Sequence, residues 1–313
     1  MSDIVQLTLP IFGVMALGWT AMRARLTPPA ALDALSAFAF RFALPALVFR
    51  LVSGQPLAGS VNPWFYGGYL LSGSAVFAFA FVCSRVLDRR AAAAVAAAGA
   101  RSTAATVSNL GFLGPPLMLA FFGERGAGPL AMAILAEIMV LLSVGAVIMS
   151  AAQGGNRAGI GSLLLRGTVL NPVVVAILLG AALAATGATL PAPADRFLDL
   201  LGSAAGPTAL FALGGALALQ HIDRGTIVSA AGITTAKLLA YPALVWWVLA
   251  HLLRVEPFWV QSGVLMAALP TAGNVYVVAQ RYTADADQVS AAIMLSTLAS
   301  IATVPLAATL VLH

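Results

Sequence analysis

Lys237, in "TTAKLLAYP", and Glu137, in "ILAEIMVLL", are ionisable residues set among apolar neighbours. A charge at bilayer depth costs on the order of 3 kcal/mol or more, and such residues usually face a cavity or a partner. Lys237 is a candidate counter-charge for an anion, and Glu137 a candidate carrier of a coupling proton. The alternative for both is a structural ion pair with no chemistry. Two amides stand inside other apolar runs. Asn109 lies in "SNLGFLGPPLMLAFFGERG", beside Gly111, Gly114, Pro115 and Pro116, and Asn274 in "AALPTAGNVYVVAQRY", beside Pro270, Thr271 and Gly273. An amide both donates and accepts, so each Asn is able to bind a ligand directly or to satisfy backbone that the breakers free.

The elements that must position these groups follow from composition. The chain has 313 residues, 61% hydrophobic and 9% charged, with a mean hydropathy of +0.97. A soluble domain carries roughly 25% charged residues, so the chain reads as an all-α integral membrane protein. Apolar runs of about 20 residues favour helices over barrel strands of about ten. The net charge of +5 belongs mostly to residues between apolar runs, which topology explains without nucleic acid. Cys83 is the single cysteine, which rules out an intrachain disulfide and a thiolate metal cluster. His221, His251 and His313 are scattered and read as interfacial residues, so no metal site is expected. The N-terminus lacks the features of a cleaved signal and reads as the first span.

Ten apolar segments are expected, near 4–22, 30–53, 63–84, 91–122, 127–150, 169–187, 197–220, 226–252, 258–280 and 288–312. With the N-terminus outside, inner loops hold Arg23, Arg25, Arg85, Arg89, Arg90, Arg157, Arg166, Arg224 and Arg281, and outer loops hold Arg125, Arg196 and Arg254. The excess of basic residues on one side places both termini outside. Arg41, Arg50 and Arg101 fall within spans, where the first two are able to snorkel or pair. Trp64, Trp246, Trp247 and Trp259 suit interfacial belts or packing, and the "AAAAVAAAGARS" run suits close packing of helices through small residues.

The halves repeat. Pro10 and Gly18 share their spacing with Pro172 and Gly180, and "LPALVF" (44–49) aligns with "GPTALF" (206–211), both at an offset of 162 residues. Asn109 pairs with Asn274 at 165, and "AILAEIMVLL" (133–142) with "AIMLSTLASI" (292–301) at 159. The alternative, that Leu/Ala/Gly-rich helices resemble one another by composition, does not explain a stable offset. Five spans is an odd number, so the second copy enters from the opposite side. The expected organisation is a first five-helix repeat over 1–153, a cytoplasmic connection over 154–168 and an inverted second repeat over 169–313. Segments four and nine then correspond and carry the most disruptive clusters, the pattern of secondary transporters whose sites lie on discontinuous helices. The N-terminal half-ends of such helices suit a carboxylate and their C-terminal half-ends suit a cation. Two proline kinks with no ligand remain the plainer alternative.

The stretches around Asn109 and Asn274, with "LNPVVVAILLG" and "KLLAYP", make the chain resemble bacterial members of the auxin efflux carrier family, which includes permeases described as transporting malonate and similar carboxylates. The resemblance covers essentially the whole chain. It implies ten transmembrane helices in two inverted repeats, outer termini in a bacterial cytoplasmic (inner) membrane, and a two-domain arrangement like that of the bile acid:sodium symporters. It also implies broken, crossing helices 4 and 9 beside the substrate, which carries over by position to Asn109, Pro115, Pro270 and Asn274. The long polar loop of plant members is absent, so auxin specificity is not carried over. "GPPLM" after the first break has no counterpart after the second, so the two half-sites need not match.

The expected function is alternating-access transport of a small organic anion, with substrate-binding candidates Asn109, Gly111, Gly114, Pro115, Pro270, Thr271, Gly273, Asn274 and Lys237. Glu137 is the candidate for a coupling ion or proton. No cofactor or catalytic residue is expected, and the coupling ion, H⁺ or Na⁺, is left open. Partners are the anion and the bilayer, with a homodimer a further option. The alternatives are a membrane sensor, for which no connection is long enough to hold an output domain, and a sodium-coupled symporter of a larger amphipathic anion. An enzyme is disfavoured by the lack of HExxH, Cys–His or paired-aspartate constellations.

Overall fold

Proline decides where many of the helices begin and where some of them widen. A computed structural model describes residues 2–87, 91–153, 161, 167, 169–220, 224–282 and 285–312. Among the described residues the α-helices of seven residues or more, in chain order, are α1 (Ser2–Arg23), α2 (Pro29–Phe38), α3 (Leu44–Ser53), α4 (Pro63–Leu87), α5 (Ala91–Ala104), α6 (Gly114–Phe122), α7 (Ala127–Ile134) and α8 (Ser143–Ala152), then α9 (Pro172–Thr186), α10 (Ala192–Ser203), α11 (Ala205–Leu219), α12 (Arg224–Thr235), α13 (Tyr241–Trp247), α14 (Pro257–Ala267), α15 (Gly273–Tyr282) and α16 (Ala286–Leu312). Pro29, Pro63, Pro172 and Pro257 open their helices, where the missing N–H costs nothing. Asn171 caps α9 by accepting from the Val173 N–H at 3.0 Å.

Several helices run on into wide π-turns, at Ala39–Ala43, Leu135–Leu142, Ala236–Ala240 and Val248–Leu252. Pro45 and Pro242 lie just beyond the first and third of these. A proline ring crowds the carbonyl four residues back, and an extra residue in the turn relieves that contact. In the second, the Ser143 hydroxyl donates to the Ile138 carbonyl at 3.1 Å, entering the helical ladder. Glu137 and Lys237 each sit inside one of these turns.

No β-strand is present among the described residues, and six helical stretches are long and apolar enough to cross a membrane: Pro29–Ser53, Pro63–Leu87, Gly114–Ala152, Ala192–Leu219, Thr226–Leu252 and Ala286–Leu312. The chain is thus an all-helical, multi-pass membrane protein. The segment expected near 91–122 is two helices, α5 and α6, separated by non-helical residues 105–113. The segment near 258–280 is likewise divided, into α14 and α15. Arg89, Arg90, Arg157, Arg166, His221, His313 and nearly all of the 154–168 connection lie outside the described residues.

The chain divides into two compact units, one of residues 1–62, 110–132 and 170–221 and the other of residues 63–109, 133–169 and 222–313. In the first, glycines bring helices together. A Cβ on Gly18 of α1 would land on the Phe211 carbonyl of α11, and one on Gly180 of α9 would come within 3.0 Å of the Phe49 carbonyl of α3. Both members of these contacts are offset by 162 residues, the interval found in the sequence. Arg50 is paired. Its guanidinium binds Asp195 at 2.8 Å and Asp199 at 3.1 Å on α10.

In the second unit the alanine-rich α5 packs on α8. Ala96, Ala98 and Ala100 are buried, and a Cβ on Gly145 would land on the Thr103 side chain. Arg101 binds Asp285 at 2.6 Å and Ser84 at 2.9 Å. Trp259 is buried beside Phe65, with ring centroids 5.2 Å apart, whereas Trp64, Trp246 and Trp247 are exposed, as belt residues would be.

Candidate functional site

Helix α5 ends at Ala104 and α14 at Ala267. Pro270 has no N–H to offer a continuing helix, and it disfavours helical backbone at Leu269 before it. The two freed segments meet within the second unit. The Asn109 N–H donates to the Pro270 carbonyl at 2.7 Å, and the Ala272 N–H donates to the Val107 carbonyl at 3.0 Å. These bonds form an isolated antiparallel bridge centred on Ser108 and Thr271. Each break thereby supplies the partners that the other lost, which is what non-helical backbone in a membrane requires.

Side chains secure the remaining groups. The Ser108 N–H and hydroxyl both donate to the Glu137 carboxylate, at 2.6 and 2.8 Å. Tyr69 donates to the same carboxylate at 2.6 Å, and Tyr241 at 3.3 Å. At the other break the Thr271 N–H donates to Ser296 Oγ at 3.0 Å. Ser296 is the residue that aligns with Glu137 at the offset of 159. The helix ends are capped in the same alternating way. The Thr271 hydroxyl donates to the Ala104 carbonyl at 2.8 Å, and Lys237 Nζ donates to the Ala267 carbonyl at 2.6 Å.

Glu137 and Lys237 are 1% and 0% exposed, and no ion pair joins them directly among the described residues. Tyr241 contacts both. Its ring centroid lies 4.9 Å from Lys237 Nζ, while its hydroxyl reaches Glu137. Each of these two buried ionisable side chains therefore hydrogen-bonds to one helix break, with no direct salt bridge between them.

The other expected residues divide. Asn109, Pro270, Thr271, Gly273 and Asn274 belong with Lys237 and Glu137 to the second unit, whereas Gly111, Gly114 and Pro115 belong to the first. There Gly111 faces Leu44, a Cβ on Gly114 would come within 2.8 Å of Leu130, and Pro115 lies in the first turn of α6. Asn109 and Asn274 do not take equivalent backbone positions. Asn109 is part of the bridge, and Asn274 is in the first turn of α15. Asn274 Oδ1 is shielded and accepts no hydrogen bond within the described protein. A Cβ on Gly273 would meet nothing within 4 Å, so this helix start has open space beside it.

Ser108, Tyr69, Tyr241 and Ser296 are not among the candidates that the sequence marks. Tyr241 carried a signal, since it stands four residues after Lys237 and so on the same helix face. Ser296 carried another, in its alignment with Glu137. Tyr69 had none.

The whole chain, residues 3–308, matches the family described as membrane transport protein. It is 36% identical over 307 residues to a "Putative malonate transporter" of Rhizobium meliloti, covering 97% of this chain and 94% of that protein. It is 27% identical over 308 residues to the "Uncharacterized transporter YfdV" of Escherichia coli K12, covering 95% and 94%. The chain belongs to the membrane transport protein family. Its resemblance to the auxin efflux carriers is upheld, and membership makes it a membrane transporter and not an enzyme.

Proposed function

We propose that this transporter moves a small organic anion, a mono- or dicarboxylate, by alternating access around a midplane crossover. The bridge between residues 107–109 and 270–272 carries the reading. It joins two helix ends at a point where non-helical backbone is costly and is retained around a site. The start of α15 offers the anion the positive end of a half-helix beside the open space at Gly273 and the amide of Asn274. Lys237 adds positive charge one step behind, since its ammonium is held by Ala267. The malonate in one relative's name supports the carboxylate class. The reciprocal contacts of Gly18 with Phe211 and of Gly180 with Phe49 support two inverted five-helix repeats, ten helices in all. The distribution of basic residues supports placement in a cytoplasmic membrane with both termini outside.

The test is uptake of radiolabelled malonate, malate and indole-3-acetate into proteoliposomes, with pH and sodium gradients imposed separately. A carboxylate is expected to accumulate or exchange; if none of the three moves under any gradient, the substrate class is wrong. Replacing Asn109 or Asn274 by Ala is expected to lower uptake, and unchanged kinetics in both inserted variants would remove the crossover as the site.

A further inference from the structure

The C-terminal end of a broken helix is where a coupling cation is ordinarily held, by carbonyls that no longer have helical partners. In this crossover the last carbonyl of each broken helix already has a donor. The Ala267 carbonyl, at the end of α14, takes Lys237 Nζ at 2.6 Å. The Ala104 carbonyl, at the end of α5, takes the Thr271 hydroxyl at 2.8 Å. The Glu137 carboxylate takes the Ser108 N–H and hydroxyl and both tyrosines, and Ser296 Oγ takes the Thr271 N–H. The Tyr241 face, a further surface for a cation, also belongs to Lys237, at 4.9 Å.

We propose that Lys237 is the resident cation of the crossover: its ammonium takes the place that a coupling metal cation would hold, and the transporter works without sodium. The proposal rests on the reading of the crossover as the transport site. A sodium ion entering it would have to displace a covalently tethered ammonium from a carbonyl and an aromatic face. It would gain little from the carboxylate in exchange, because Glu137 already accepts four protein hydrogen bonds, three of them on one oxygen. The same geometry predicts what removal of the tether creates. Without the Lys237 side chain, the Ala267 carbonyl and the Tyr241 face surround a vacated, buried space, with the Glu137 carboxylate beyond the Tyr241 hydroxyl. That is a site for a small monovalent cation.

Thermal unfolding of the purified protein in sodium chloride, against choline chloride at equal concentration, tests this without any substrate. Wild type is expected to melt at the same temperature in both salts. Lys237→Ala, and Lys237→Ser, which adds an oxygen ligand, are expected to melt lower in choline and to show a saturable, sodium-specific rise. A sodium-specific rise in wild type overturns the proposal, as does a folded variant with no sodium response. Should neither variant fold, wild-type exchange of malonate with sodium or choline on both sides decides: equal rates support the proposal and a sodium requirement overturns it. Failure of malonate to move at all bears on the substrate class instead, and leaves the melting comparison standing.

Discussion

Glu137 has four donors and no formal counter-ion in direct contact, so its hydrogen bonds must replace water's solvation of the charge. The bonds differ in quality, from 2.6 Å for Tyr69 to 3.3 Å for Tyr241. Tyr69→Phe should therefore cost more stability than Tyr241→Phe, about 1.5–3 kcal/mol as expected for a bond to a charged group. Melting of the two variants in one detergent checks the order, and a larger loss for Tyr241→Phe would contradict it. Glu137→Gln should be worse than either, because its amide NH₂ would point a donor at donors. Its lowered melting temperature should be accompanied by loss of transport, since the Ser108 break is no longer held.

At the scale of elements, glycine sets how closely helices approach. Gly13 and Gly18 lie on the same helix, α1. A Cβ on Gly13 would meet nothing within 4 Å, whereas one on Gly18 would strike the Phe211 backbone of α11. Gly18→Ala is expected to destabilise the protein by about 1–3 kcal/mol as an overpacking change, and Gly13→Ala to leave it unchanged or slightly more stable. Equal melting temperatures would show that the close approach of α1 and α11 carries no constraint. Element boundaries were legible where proline or glycine wrote them: both helix breaks, and the starts of α2, α4, α9 and α14, are visible in the sequence. The π-turns at Leu135–Leu142 and Val248–Leu252 were not, because no residue type marks them; the first needs Ser143 to reach back to Ile138.

For the whole molecule, topology is the property that basic residues address. Alkaline phosphatase fused after the last residue should be active, and green fluorescent protein at the same position dark, if the C-terminus faces outside. The opposite pair of results would reverse the orientation and invert the two faces of the crossover. Net charge at the site belongs to this scale as well. On the proposed crossover route, Lys237 and Glu137 contribute one basic and one acidic side chain, and an anion moving there without a co-ion would carry its own charge across the membrane.

Composition alone settled the membrane class, and breakers, mid-span ionisable residues and a repeat offset marked the neighbourhood of the candidate site. Tertiary structure alone decided that Glu137 and Lys237 each hydrogen-bond a different helix break and do not meet in a direct salt bridge. The partners of Glu137 stand 29, 68 and 104 residues away, and bonds near 3 Å depend on the rotation of each helix about its axis. In a soluble protein the hydrophobic pattern reveals that rotation. Here lipid and core are equally apolar, so Leu265, fully buried, and Leu310, 73% exposed, read alike in the sequence, and only packing tells them apart.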